Sequence, residues 1–256
     1  MRRSFLTIAV SVGLLATYGA VAVADSLIGT DNAETLNGTV APDQLYGEGG
    51  ADQLNGLAGN DYLEAGTGDD RVEGDSGVDL VIGGTGADRV DAGSGNDVVY
   101  AGAGDDLVLG DSGKDTLFGQ AGADRLFGGS ARDRLFASGG GDVADGGSGH
   151  DRLTADAGDA TLLGGRGNDV ILGSGGNLTV RGGSGRDRIR TGSGNDDVAG
   201  GGGADGIATG AGDDEVNARD GRRDRVQCGA GDDSVVADSF DILAGCEKQA
   251  ENRRIR

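Results

Sequence analysis

An aliphatic residue returns every nine positions along most of this chain. From Leu36 to Val216, twenty-one positions in step of nine hold Leu, Val or Ile, with Ala144 the one exception. Two residues before each stands a station that is nearly always acidic. Eighteen of the twenty-one stations are Asp; the others are Glu34, Ala160 and Leu178. Two residues before each station comes Gly, replaced only at Asn32, Ala41 and Ala131. Helices repeat near 3.6 residues and strands at two, so neither element alone produces nine. The pattern predicts six residues of turn followed by three of strand. The middle strand residue, such as Val90 or Leu117, points inward and its neighbours point outward.

Two nonapeptides close a coil of 18 residues, which puts successive aspartates on opposite sides. Asp106 then stacks over Asp124 at about one strand spacing, ~4.8 Å. The expected fold is all-β: a right-handed parallel β-roll, or β-solenoid, of about ten such coils, ~50 Å long. The repeat first slips at Asp224, ten residues after Asp214, near Arg219 to Arg223, and resumes at Asp233 with Val235. Three segments follow: a leader at residues 1–24, a roll at 25–218 and a C-terminal cap at 219–256.

Composition sharpens this outline. Of 256 residues, 55 are Gly, yet Gly does not fall at every third position, which excludes a collagen helix. The net charge of −21 argues against a nucleic-acid partner, which needs a basic face, and suits a protein that holds cations. Arg2 and Arg3, the apolar run from Phe5 to Val23 and the small residues Ala22 and Ala24 read as an export signal. With that segment cleaved, no membrane span is expected, and the chain is secreted into a calcium-rich, oxidising medium.

Written out, the fullest copies are Gly83-Gly84-Thr85-Gly86-Ala87-Asp88-Arg89-Val90 and Gly164-Gly165-Arg166-Gly167-Asn168-Asp169-Val170-Ile171. This pattern resembles the repeats-in-toxin family, also called haemolysin-type calcium-binding repeats, over roughly residues 32–217. The resemblance implies several Ca2+ ions, each between a turn and the next turn on the same side, held by aspartates and turn carbonyls. It carries over to Asp52, Asp61, Asp70, Asp79, Asp88, Asp97, Asp106, Asp115, Asp124, Asp151, Asp169, Asp187, Asp196, Asp205 and Asp214, and to glycines such as Gly83, Gly84, Gly86, Gly164, Gly165 and Gly167.

Elementary electrostatics points the same way. Carboxylates stacked at ~4.8 Å repel by roughly 0.9 kcal/mol per pair even in water. One aliphatic residue per nine is a thin core to set against that. Calcium takes six to eight hard oxygens, which carboxylates and carbonyls supply. The expectation is a chain that folds on binding the metal. Twenty-one stations give nineteen same-side pairs; seven contain Glu34, Ala160, Leu178 or the turns at Ala41 and Ala131, which leaves twelve intact sites. Ala160 and Leu178 are same-side neighbours, so a calcium-poor gap is expected there, with Asp159 and Asn177 as candidate displaced ligands.

Other motifs lose meaning inside the repeat. Gly74-Asp75-Ser76-Gly77 and Gly110-Asp111-Ser112-Gly113 mimic a protease nucleophile, but their separation of 36 is four nonapeptides. A triad also needs a histidine base, and His150 merely occupies the variable position before Asp151. Paired acids such as Asp105-Asp106 read as one repeat ligand and a solvated neighbour. No enzyme is expected; the rival reading is a polysaccharide-active enzyme using acids of the repeat. Arg71, Arg89, Arg125, Arg134, Arg152 and Arg188 each follow a station directly and read as outward charge balance or as an anion-binding strip. Tyr100, Phe118 and Phe136, spaced by 18, should form an outward ladder: either a self-stabilising stack or a stripe for a surface glycan, a protein partner or self-association. Cys228 and Cys246, also 18 apart, fall one coil apart and within reach of a disulfide.

Overall fold

The computed structural model describes residues 26–138 and 140–246 and the backbone of Lys248–Gln249. The segment read as an export signal and most of the charged tail lie outside the described residues. The chain winds as a parallel β-solenoid, in which alternate strands go to two facing sheets. Thirteen strands form one sheet, from Ser26–Ile28 to Ile242–Ala244, and the path through the other runs from Thr35–Asn37 to Lys248–Gln249. Every strand pairing among the described residues is parallel. Through the regular part the register is 18 residues, as in Val81 against Val99 and Val99 against Leu117. No helix occurs among the described residues.

The aliphatic column forms the core between the sheets. Leu45, Leu63, Val81, Val99, Leu117 and Leu135 of one sheet, and Leu54, Val72, Val90, Val108 and Leu126 of the other, are all fully buried. The strands differ from expectation in length. Many run six residues, such as Leu80–Thr85 and Val98–Ala103, and bury a second residue two places after the aliphatic one. That position takes small side chains: Ala65, Ala92, Ala101, Ala137 and Ala155 are buried there. Two threonines share it. Thr191 donates its hydroxyl to the Thr209 carbonyl (2.9 Å), and Thr209 donates to the Cys228 carbonyl (2.7 Å), which satisfies both buried hydroxyls.

The sheets run on through the slip. Gly206 pairs with Arg225, 19 residues on, and Arg225 pairs with Ile242, 17 residues on, so an extra residue in one coil is cancelled in the next. The surplus sits in the turn at Asp220, whose carboxylate accepts the N–H groups of Gly203 and Arg222 (both 2.6 Å). Beyond it Cys228 and Cys246 form the expected disulfide, with α-carbons 5.2 Å apart.

Candidate metal centre in the aspartate columns

The station aspartates do not sit at the rim of the turns. Each is inside the coil, on the same side of the backbone as the aliphatic residue two places on. From Asp43 to Asp233 every station aspartate is at most 3 % exposed. A typical nonapeptide thus turns three positions inward: a carboxylate, an aliphatic group and a site that holds glycine or a small side chain. The sequence reading put only the second of these inside.

One oxygen of each carboxylate is accounted for. The backbone N–H of Asp70 donates to Oδ1 of Asp88 (2.9 Å), Asp88 donates to Asp106 (2.8 Å), and Asp106 donates to Asp124 (3.0 Å). The opposite column does the same through Asp79, Asp97, Asp115 and Asp133. Each aspartate therefore ties its coil to the preceding one. The other oxygen is not accounted for. Oδ2 of Asp52, Asp61, Asp70, Asp79, Asp88, Asp97, Asp106, Asp115 and Asp124, and of most later stations, is buried without a hydrogen-bond partner. A buried polar atom left in that condition is costly.

The electrostatics follow from this placement. Burial, then the carboxylates of the neighbouring coils, pushes Asp79, Asp106 and Asp115 up to about 7, against the pull of one backbone N–H each. Asp151 is likewise pushed up to about 7, and Asp88, Asp187 and Asp205 to about 6, in each case chiefly by burial. Anionic charge in these columns calls for a positive partner, and Arg132 beside Asp151, His150 beside Asp169 and Arg186 beside Asp205 offset it only in part.

The turn backbone fits a cation of hard character. The carbonyl oxygen of Gly86 points onto Gly104 of the next coil, 1.9 Å from where a Cβ would stand, so only a bare Cα fits there. At Gly83 the place of a Cβ lies 2.3 Å from the Ala101 carbonyl oxygen and 2.7 Å from Asp88 Oδ2, a cradle of two oxygens. Among the described residues no three acidic, His or Cys side chains converge on a point able to hold a metal. With no third acidic, His or Cys side chain at hand, a cation between coils would complete its shell from backbone carbonyls. All of these donors are oxygens, the set that calcium prefers.

The family model described as the RTX calcium-binding nonapeptide repeat, in four copies, matches residues 28–63, 46–81, 56–90, 73–108, 82–117, 109–144, 145–177 and 179–207. The chain belongs to that family. It is an RTX repeat protein whose calcium-binding repeats build a structural β-roll. No curated protein matches it. The family matches break at Leu178, where a leucine replaces the station aspartate.

The irregular turns of this RTX roll fall into two kinds. At Glu34 and Asp43, threonines four residues earlier occupy the carboxylate: Thr30 N–H donates to Glu34 (2.7 Å) and Thr39 N–H to Asp43 (2.5 Å). At Ala131 the turn keeps its shape, with Ala131 held at a φ of 84°. Asp133 there accepts the Asp115 N–H and buries Oδ2 like its neighbours. Sequence reasoning omitted Asp133 because its turn lacks the glycine. It also stopped before Asp224, which accepts the Asp205 N–H across the slip (2.8 Å).

Asp159 and Asn177 belong to a different feature. The residue before each station can form an exposed outer ladder that runs the other way, from coil to preceding coil. Asn177 N–H donates to Asp159 (2.7 Å), Asn195 N–H to Asn177 (2.9 Å), and Asn168 N–H to His150 Nδ1 (2.7 Å). Asp105 takes the Ala123 N–H in the same manner (2.9 Å). Asn, Asp and His recur before the stations because each offers an acceptor at that reach.

Proposed function

We propose that this RTX roll is exported, folds on binding several Ca2+ ions, and serves outside the cell as a structural and surface-interaction module. The single observation that carries the reading is the row of buried Oδ2 atoms without hydrogen-bond partners. A doubly charged ion between same-side turns would satisfy them and neutralise two carboxylates at once. Pairs such as Asp88 with Asp106 and Asp97 with Asp115 would hold the metal, joined by turn carbonyls such as that of Gly86. The two pairs that Asp133 makes, with Asp115 and with Asp151, raise the capacity from twelve ions to fourteen.

The disulfide supports export, since such bonds persist in oxidising compartments. A binding role is supported over catalysis by the use of His150 and Asp105 as spacers between coils. The test is circular dichroism of the chain from Asp25 onward, titrated with calcium after chelation, with bound metal counted in parallel. Strand signal should rise with calcium, and about fourteen ions should bind per chain. Asp106→Asn keeps an acceptor for the Asp88 N–H but removes a charge, and should lose the two ions it shares with Asp88 and Asp124. A chelated chain with undiminished strand signal would sink the folding claim.

A further inference from the structure

The two outer sheet faces treat arginine in opposite ways. Along the main path of the fifteen-stranded sheet arginines are neutralised or covered. Arg71 pairs with Glu73, Arg181 pairs with Asp197, Arg89 lies in the field of Asp91, and Arg125 sits over the Phe127 ring at 5.8 Å. On the thirteen-stranded sheet they are not. Its last seven strands begin at Arg134, Arg152, Val170, Arg188, Gly206, Arg225 and Ile242. The outward positions of these strands hold five arginines, Arg134, Arg152, Arg188, Arg190 and Arg225, and no carboxylate. All five are exposed, and none is in either ion pair found among the described residues.

This arrangement does not help the fold. Arg134 and Arg152 stand directly opposite on adjacent strands, where like charges destabilise. A chain of net charge −21 has acids in abundance, yet the aspartates next to these arginines in sequence, Asp133, Asp151, Asp187 and Asp224, are buried inside the coil and none shares the outward strand face. The surface is also shaped. Gly206 and Ala208 lack side chains of any height between the Arg188 strand and the Arg225 strand. They floor a trough of about 750 Å³, lined by Arg152, Arg188, Arg190 and Arg225 together with apolar Leu172 and Ile242.

The register fixes the spacing of the charges. Arg152, Arg188 and Arg225 lie in one row, each separated from the next by one strand, so neighbours are about 9.6 Å apart at two strand spacings. A guanidinium recognises a carboxylate or sulfate through two parallel hydrogen bonds. The aromatic ladder does not offer a rival sugar platform. Tyr100, Phe118 and Phe136 stack ring on ring at 4.7 and 4.6 Å, nearly parallel, so the faces of Phe118 are covered by its neighbours.

We infer that this trough binds a linear acidic polysaccharide, laid along the roll across the strands, with its anionic groups on Arg152, Arg188 and Arg225 and its sugar faces on Leu172 and Ile242. The inference deepens the surface-module reading and rests on it. The test uses the full calcium-loaded chain, with bound calcium counted in every sample. Polygalacturonate and heparin are the probes, with dextran and duplex DNA as controls, titrated by calorimetry at low and at physiological salt.

The expected result is binding to at least one acidic polysaccharide that weakens with salt, with none to dextran and less to DNA. Arg188→Ala, Arg190→Ala and Arg225→Ala combined should weaken it about tenfold or more. Arg71→Ala, Arg89→Ala and Arg125→Ala on the other sheet should leave it unchanged. Should the first triple variant lose calcium, Arg188→Glu alone, a single change at an exposed position, gives the same reading. A calcium-loaded chain that ignores both polysaccharides, binds DNA as well, or loses binding equally in both triple variants overturns the trough. Failure to take up calcium overturns the reading beneath it instead.

Discussion

At the scale of single residues, the roll asks two unusual things of its chain: a buried carboxylate every nine residues and a left-handed backbone in nearly every turn. Glycine meets the second demand at most positions. At six of the described residues it does not, and Glu48, Leu57, Asp75, Asp111, Gln120 and Ala131 are held at φ between 63° and 84°. A side chain in that region costs roughly 1–2 kcal/mol relative to glycine. Leu57 gains little in return, since its side chain is 39 % exposed. Leu57→Gly should therefore stabilise the calcium-loaded roll by about 1 kcal/mol, read as a higher unfolding midpoint. Unchanged or lower stability would show that Leu57 earns its place by packing. The same tolerance explains why Asp133 escaped the sequence reading: Ala131 looked like a broken turn, and the backbone takes a positive φ there regardless.

At the scale of the coil, Ala160 and Leu178 mark where the ionic design is exchanged for an apolar one. Both are buried, at 6 % and 1 % exposure. Leu178 Cδ1 stands 2.2 Å from where a Cβ would sit on Gly173. In the turn at Gly182 the same place faces Asp187 Oδ2, at 2.7 Å, so a methyl group takes the position of an oxygen. The backbone ladder survives on one side, because Leu178 still donates its N–H to Asp196 (2.8 Å). Without calcium, these coils carry fewer buried anions than the regular coils on either side. Amide hydrogens around 160–178 should then exchange more slowly than those around 88–106 in chelated protein. Leu178→Asp should add one ion, shared with Asp196, and make this stretch as calcium-dependent as the rest. The apolar replacement at these two stations was legible from two letters in the sequence. The outer ladder that claims Asp159 and Asn177 was not, because it depends on which backbone N–H lies opposite each side chain.

At the scale of the whole molecule, buried charge and pH are coupled. Asp79, Asp106, Asp115 and Asp151 titrate near 7 in the fold, well above their ordinary 3.8. A carboxylate raised on folding takes up protons more readily folded than unfolded. Its protonation thus favours the calcium-free roll fully below the unfolded value, and that support is lost as pH rises through about 7. In chelator, strand signal should grow as pH falls from 8 to 5. With calcium the trend should reverse, because protons compete for the same oxygens. Strand signal independent of pH in chelator would count against the buried-anion account. The sequence by itself determined the period, the two-sided coil, the aliphatic column and the disulfide, because each rests on spacing along one chain, and a helical winding of fixed pitch converts spacing directly into position. Only the tertiary structure decided that the aspartates face inward, that their second oxygens are left without hydrogen-bond partners, that the sheets cross the slip, and that five arginines share one face without an acid. Those properties belong to contacts between coils, where the direction of a side chain and the group opposite it, rather than its number in the chain, set the energy.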